Sequence, residues 1–153
     1  MGFWSWQEKV EERINQLPSS AKQELARLRK QAIAHDGKAA RELQVFIREH
    51  FTEQVDLAVV GEMSDLAIAQ ATEAITMAVL GHTIDELYSK PRTRRNHRDT
   101  LPAAAQNALS MGEMTAANKL EDATFDGDTW ERINQVNKIC REAGGQVRRW
   151  LPW

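Results

Sequence analysis

Residues 90–98 carry five lysines or arginines in nine positions, a basic segment with no acidic residue among them. Each phosphate that such a side chain neutralises releases counterions, so a cluster of this kind can bind nucleic acid. The segment contains no aromatic residue for base stacking, and no recognition helix accompanies it. Its candidate binding residues, for a protein partner or for nucleic acid, are Lys90, Arg92, Arg94, Arg95, His97 and Arg98.

A purely structural role for the same segment is a third alternative to protein binding and nucleic-acid binding. It would be a solvated loop whose arginines pair with the acidic residues of 121–128. We expect instead that the arginines serve a partner rather than the fold. Because exposed ion pairs contribute about 0–1 kcal/mol each, their replacement by serine should then leave stability nearly unchanged.

Other residues with chemical potential do not form a recognisable catalytic or metal-binding pattern. The acidic residues of 121–128 lack the ligand spacing of a calcium loop, and the four histidines lack metal-ligand spacing. Cys140 shares an apolar helical stripe with Ile133 and Val136, which favours a core position over a nucleophile. The chain has no glycine-rich phosphate loop and no serine elbow. We therefore expect no enzyme and no cofactor, while an enzyme built from groups distant in sequence remains open.

Tryptophans are concentrated towards the two ends of the sequence, at Trp4, Trp6, Trp150 and Trp153. Tryptophan is enriched at interface hot spots, but these rings could also complete the core where the termini meet. The last two lie close to a pair of arginines, a combination common in binding surfaces. The predicted interface residues are Arg148, Arg149, Trp150 and Trp153. Deletion of residues 146–153 should then weaken assembly more than it lowers the melting temperature.

Apolar residues three and four positions apart predict helices through most of the chain. Two helices separated by Pro18 and ending near Gly37 would form an N-terminal antiparallel hairpin. A third helix follows, and residues 55–60 could extend it or form a short strand. Residues 66–80 are apolar or small on nearly every face, which predicts a buried central helix or a subunit interface.

Glycine, proline and capping residues predict where the later helices begin and end. Helix ends are predicted at Gly81 and at the pair Gly144 and Gly145. Helix starts are predicted by two capping pairs, Thr83 with Glu86 and Asp128 with Glu131, and by Pro102 in a first turn. The sequence thus predicts one all-α domain of 153 residues with six or seven helices, more than half of it helical. Residues 1–60 would form the N-terminal helices, and residues 64–153 the remainder, with the hairpin packed on helix 66–80.

Composition and charge restrict the setting in which such a domain would act. No apolar run approaches the roughly 18–20 residues that span a bilayer, and one cysteine suits a reducing compartment. We therefore expect a cytoplasmic protein with no membrane partner. Residues 1–89 carry 9 Lys/Arg and 14 Asp/Glu, whereas residues 90–153 carry 11 and 8. This sign difference can steer two copies together or present a basic face to an acidic partner, and we expect a homo-oligomer.

The second half of the chain carries a family resemblance, which begins in residues 78–88. These read Ala-Val-Leu-Gly-His-Thr-Ile-Asp-Glu-Leu-Tyr and are similar to a Gly-x-Thr-x-x-Glu-Leu segment. Further similarity lies in residues 96–101, a small-residue helix ending at Lys119 and Leu120, residues 136–145, and Leu151-Pro152. Residues 78–152 thus resemble the C-terminal region of phage-associated regulators, which include damage-inducible protein D and phage antirepressor-like proteins.

The resemblance implies a non-catalytic protein that grips another protein, such as a repressor or a recombinase filament. The DNA-binding module often found at the N-terminus of these regulators is not recognisable here, which argues against direct operator binding. Our leading hypothesis is a phage- or prophage-type regulator that binds a protein partner. One alternative is a nucleic-acid-binding protein that uses residues 90–98. The other is an immunity or inhibitor protein of a toxin or defence enzyme, because the acidic first half would suit a basic nuclease.

Overall fold

The computed structural model describes residues 37–150, so the predicted N-terminal hairpin, Trp4, Trp6 and Trp153 lie outside the described residues. The elements are α1 (Gly37–Val59), α2 (Ser64–Leu80), α3 (Ile84–Leu87), a 3-10 turn (Arg98–Thr100), α4 (Ala103–Asp122) and α5 (Thr129–Trp150). In this part of the chain the structure is 76% helix without a strand, which confirms the all-α prediction. None of its helices is both long enough and apolar enough to cross a bilayer.

The local boundary signals place most helix ends where the sequence predicted them. The Thr83 side chain accepts the Glu86 amide proton, and the Glu86 carboxylate accepts that of Thr83, so the predicted capping box forms. Gly81 ends α2 in a left-handed conformation with φ of 73°. At the start of α5, Asp128 Oδ1 accepts the backbone N–H of Glu131 at 2.9 Å. The ambiguous residues 55–60 are helical as far as Val59.

The four long helices each contact all of the others and enclose one apolar core. Side chains that recur every three or four residues turn one stripe of each helix inward, where removal of apolar surface from water stabilises the packing. Fully buried members of this core are Phe51 and Val55 from α1, Ala71, Ile75 and Val79 from α2, Ala116 and Ala117 from α4, and Ile133, Val136, Cys140 and Val147 from α5.

Among the described helices, α4 is more deeply buried than α2, which was predicted to be either the central helix or a subunit interface. Every residue from 108 to 118 is buried, whereas Leu66 and Met77 of α2 are 39% and 43% exposed. Size explains the difference, because α4 consists mainly of small side chains that let a neighbouring helix approach on each side. The apolar content of residues 66–80 predicted burial but not the order of burial.

The prediction that Gly144 and Gly145 end the last helix is wrong, because α5 continues through them to Trp150. Gly144 is a contact residue: a Cβ built on it would lie 2.6 Å from the Ala78 Cβ of α2 and 3.3 Å from the carbonyl oxygen of Ile75. Gly145 has open space instead, with nothing within 4 Å. The glycine that looks like a helix stop therefore allows α2 and α5 to pack closely.

Candidate partner-binding site

The basic segment, residues 90–98, is fastened to the helical core at both of its ends. Leu87 lies just before it and Leu101 just after it, and both pack against Leu109 of α4 in a small buried cluster. Apolar burial of this kind ties down the two ends of a loop that would otherwise move. The segment is therefore a short excursion between two fixed points on the core.

Hydrogen bonds inside the basic segment shape it into consecutive turns. The Thr93 amide donates to the Lys90 carbonyl at 3.2 Å, and the His97 amide donates to the Arg94 carbonyl at 2.9 Å. The Thr100 hydroxyl accepts the Arg94 amide proton at 2.9 Å and donates to the His97 carbonyl at 2.6 Å. The segment is thus preformed, which lowers the conformational entropy that a partner must remove on binding.

Most of the predicted binding residues present their charges to solvent. Lys90, Arg92, Arg94, Arg95 and His97 are all exposed. Arg95 forms an ion pair with Asp85, itself an exposed residue of α3. Within the described part of the chain, the ion pairs of the segment run to Asp85 and Glu113, not to the acidic residues of 121–128 that the solvated-loop interpretation requires.

Arg98 differs from its neighbours because it turns inward to a buried carboxylate. Its Nη1 donates to Oε1 of Glu113, and the Glu113 side chain is only 1% exposed. A second guanidinium reaches the same carboxylate, since Nη1 of Arg48 lies 2.6 Å from Oε2. Each oxygen of Glu113 is thus held by its own arginine, one from α1 and one from the basic segment. Arg98 therefore serves the fold as well, and its replacement by serine would not be neutral.

The Arg48 side chain is held in place by further contacts. Its Nη1 also donates to the Thr72 hydroxyl of α2 at 2.9 Å, and its guanidinium carbon lies 5.7 Å from the centre of the Phe51 ring. A cation over a ring face is attracted by the ring quadrupole. Arg48 is thereby fixed among α1, α2 and α4.

Arg48 and Arg98 line an open cleft of about 640 Å³ between α1, α2, α3 and the basic segment, which we call the arginine cleft. This volume falls within the roughly 300–1,000 Å³ of ordinary ligand sites. Apolar and polar side chains share its walls: Gln44, Val45, Arg48, Glu49, Thr72, Thr76, Ile84, Leu87, Tyr88, Asn96, Arg98, Asp99 and Leu109. Such a lining can hold a ligand that has both an apolar and a charged part.

The pKa of the Tyr88 phenol depends on its burial and on the charged residues of the arginine cleft. Burial raises the pKa of its phenol, while Arg98 and Arg48 lower it and Asp99 raises it. The hydroxyl is therefore neutral at physiological pH and can both donate and accept a hydrogen bond.

Sequence reasoning identified Arg98 but missed Arg48, Glu113 and Tyr88. One signal could have found Glu113, because it is the only charged residue between positions 101 and 118. A lone carboxylate in a helix of small and apolar residues is a candidate for burial, and a buried charge needs a partner of opposite sign. Nothing in the sequence pairs it with Arg48, which lies 65 positions away.

Of the predicted interface residues, Arg148, Arg149 and Trp150 lie in the last turn of α5 rather than in a tail beyond it, and Trp153 lies outside the described residues. Arg148 and Arg149 are exposed there, where cations interact favourably with the helix dipole. The Arg148 guanidinium lies beside Gly81, close to the C-terminal end of α2. Val147 is fully buried, so deletion of residues 146–153 would remove part of the core and would not isolate an interface.

In the described residues no three His, Cys, Asp or Glu side chains are grouped so that they could hold a metal ion. The chain matches none of the protein-family models, curated proteins or solved structures with which it was compared. Functional inference therefore depends on the chemistry of the arginine cleft and the basic segment.

Proposed function

We propose that the protein is a non-catalytic regulator of phage or prophage type that acts by binding another protein. The observation that carries the proposal is the preformed basic segment, whose ends are fixed to the core while Lys90, Arg92 and Arg94 face solvent. A rigid, charged surface gives fast and specific association with an acidic partner. The resemblance of residues 78–152 to phage-associated regulators supports the same kind of activity.

A protein partner is favoured over nucleic acid by the composition of the exposed surface. The basic segment lacks the aromatic side chains on which single-stranded bases stack, and Tyr88 lies in the cleft, partly buried. The exposed cations also lie on a run of short turns, with hydrogen bonds from the Thr93 amide to Lys90 and from the His97 amide to Arg94. Nucleic-acid binding is the second outcome that the experiment must separate.

The experiment compares two variants that each remove two exposed positive charges. Arg92→Asn with Arg94→Ser alters the basic segment, and asparagine tolerates the φ of 68° at position 92. Lys138→Gln with Arg141→Gln alters exposed positions of α5 and serves as the matched control. Proteins captured by each form from untreated and from nuclease-treated host lysate are quantified, and a captured protein is purified for direct affinity measurement.

We expect the segment variant to bind the purified partner at least about tenfold more weakly, and the control to bind like the unaltered protein. Equal binding by both variants would overturn the role of the segment. Capture that disappears after nuclease treatment, with a steep salt dependence on random DNA, would favour the nucleic-acid alternative.

We also propose that the protein is a homo-oligomer. Large apolar side chains are exposed on several helices of the described part, including Leu57, Leu66, Met77 and Trp130, which suits contact with a second copy. Light scattering at micromolar concentration should give a mass above that of one 17.4 kDa chain. Arg148→Ser with Arg149→Ser should reduce the oligomeric fraction while lowering stability only by the helix-dipole contribution, about 0.3–1 kcal/mol for each charge. A monomer at both low and moderate salt would contradict the proposal.

A further inference from the structure

The two arginines of the cleft each have hydrogen-bond donors that do not bind the Glu113 carboxylate between them. One arginine can bind both oxygens of a carboxylate through its two-pronged side chain. Here Glu113 takes only one nitrogen from each, Nη1 of Arg48 and Nη1 of Arg98. Within residues 37–150, the Nε and Nη2 groups of both arginines have no hydrogen-bond partner. Both arginines line the open cleft.

The excess positive charge of the cleft is confined to the two arginines and the carboxylate between them. Two guanidiniums face one buried carboxylate, so the group of three carries a net positive charge. Glu49 and Asp99 also line the cleft, but both are exposed, and water screens exposed charges more than buried ones.

Beside the arginines the cleft is apolar. Val45 of α1, Ile84 of α3 and Leu109 of α4 contribute to the same lining. A free inorganic anion would leave these side chains facing water and would gain nothing from them. A ligand with a carboxylate and an aliphatic group on neighbouring atoms would use both parts of the wall.

We propose that the arginine cleft binds the C-terminal carboxylate of a peptide that ends in an aliphatic residue. The carboxylate lies on Arg48 and Arg98, and the last side chain lies against Val45, Ile84 and Leu109. A terminal residue is favoured over an internal Asp or Glu because its carboxylate and its apolar side chain share one Cα. This inference rests on the proposed function for the source of the peptide, but the chemistry of the cleft can be tested without any partner.

The test is a titration of the isotope-labelled full chain, followed by amide and arginine side-chain NMR signals. The probes are N-acetyl-L-leucine, N-acetyl-L-leucinamide without the carboxylate, N-acetyl-L-glutamic acid α-amide with a side-chain carboxylate, and inorganic phosphate. We expect saturable shifts of Thr72, Tyr88, Asn96 and the side chains of Arg48 and Arg98 with N-acetyl-L-leucine. Each of the other three probes should bind at least about tenfold more weakly, because each lacks one half of the match.

A pair of tryptophan substitutions locates the binding. Val45→Trp fills the apolar side of the cleft, and Leu57→Trp places the same side chain elsewhere on α1; these positions are 55% and 61% exposed, so both variants should fold. Only Val45→Trp should weaken N-acetyl-L-leucine binding, by about tenfold or more, with melting temperatures alike. Equal affinity for the leucinamide, equal binding by the two variants, or shifts outside the cleft would each overturn the inference.

The titration of the cleft and the partner-binding test of the proposed function can fail independently of each other. The partner test alters Arg92 and Arg94, neither of which lines the cleft. Loss of partner binding in that variant together with no N-acetyl-L-leucine binding would leave the proposed function standing and remove the inference. Selective N-acetyl-L-leucine binding without any protein partner would do the reverse.

Discussion

Helix α4 meets two kinds of surroundings on its two sides. Towards α2 it presents Gly112, where a Cβ would lie 2.7 Å from Ile75 and 3.0 Å from Val79. Towards α1 and the basic segment it presents Glu113, which needs a cation from each of them. Adjacent residues of one helix thus impose different requirements. One side is specified by size, since a larger side chain has no room, and the other by charge, since a neutral neighbour would leave a carboxylate unpaired.

The ionic side should give the largest loss of stability when it is broken. Arg48→Met with Arg98→Met leaves Glu113 buried without a cation, and such uncompensated charges cost about 3–5 kcal/mol. Addition of Glu113→Gln should recover most of that loss. Arg95→Met, which removes a pair between two exposed side chains, should cost about 0–1 kcal/mol. Urea unfolding measures all of these values, and a double variant no less stable than Arg95→Met would remove the charge requirement.

A second contact that is specified by size, between α5 and α2, should respond to a single methyl group, with opposite signs at the adjacent glycines of α5. Gly144→Ala brings a Cβ against the Ala78 Cβ, an overpacking that costs about 1–3 kcal/mol, and the better helix propensity of alanine offsets about 1 kcal/mol of this. Gly145→Ala has open space and should stabilise by about 0.5–1 kcal/mol. Thermal unfolding of the two variants decides the matter, since stabilisation by both would show that α2 and α5 are not tightly packed.

The buried thiol of Cys140 makes the free energy of unfolding depend on pH. Burial raises the pKa of its thiol from 9.0 to about 12, with Glu113 adding to the shift. Above about pH 9 the unfolded chain releases this proton while the folded chain retains it. The free energy of unfolding should therefore fall as pH rises towards 12, by at most about 1.4 kcal/mol per pH unit.

Cys140→Ala isolates this effect from other groups that titrate in alkali. Denaturant unfolding at pH 8 and pH 10 should show a smaller loss of stability in the variant than in the unaltered chain. Identical losses would mean that the thiol is not shielded from water in the folded protein.

Features set by neighbouring residues could be predicted from the sequence. The capping box at Thr83 and Glu86, the stop at Gly81 and the start of α5 after Asp128 each depend on hydrogen bonds that span a few positions. Their residue types are enough to specify them, because local donors and acceptors find the nearest partner.

Features set by distant residues could not be predicted in the same way. The same residue type, glycine, ends α2 at position 81 and lies inside α5 at position 144, and only the approach of Ala78 separates the two cases. The candidate site fails for the same reason. Arg98 was found in a local run of cations, whereas its partner Glu113 and the second arginine at Arg48 come together only when α1, α4 and the basic segment fold against each other.

The attachment of Arg98 to Glu113 also has a kinetic consequence. A surface loop of nine residues normally exchanges its amide hydrogens through small local openings that leave the core intact. Here the segment cannot swing away without withdrawing a cation from a buried carboxylate and lifting Leu101 off Leu109. The hydrogen-bonded amide of His97 should therefore exchange nearly as slowly as those of α4. Although the basic segment is a loop, it should open only when the core opens, as part of the same cooperative unit.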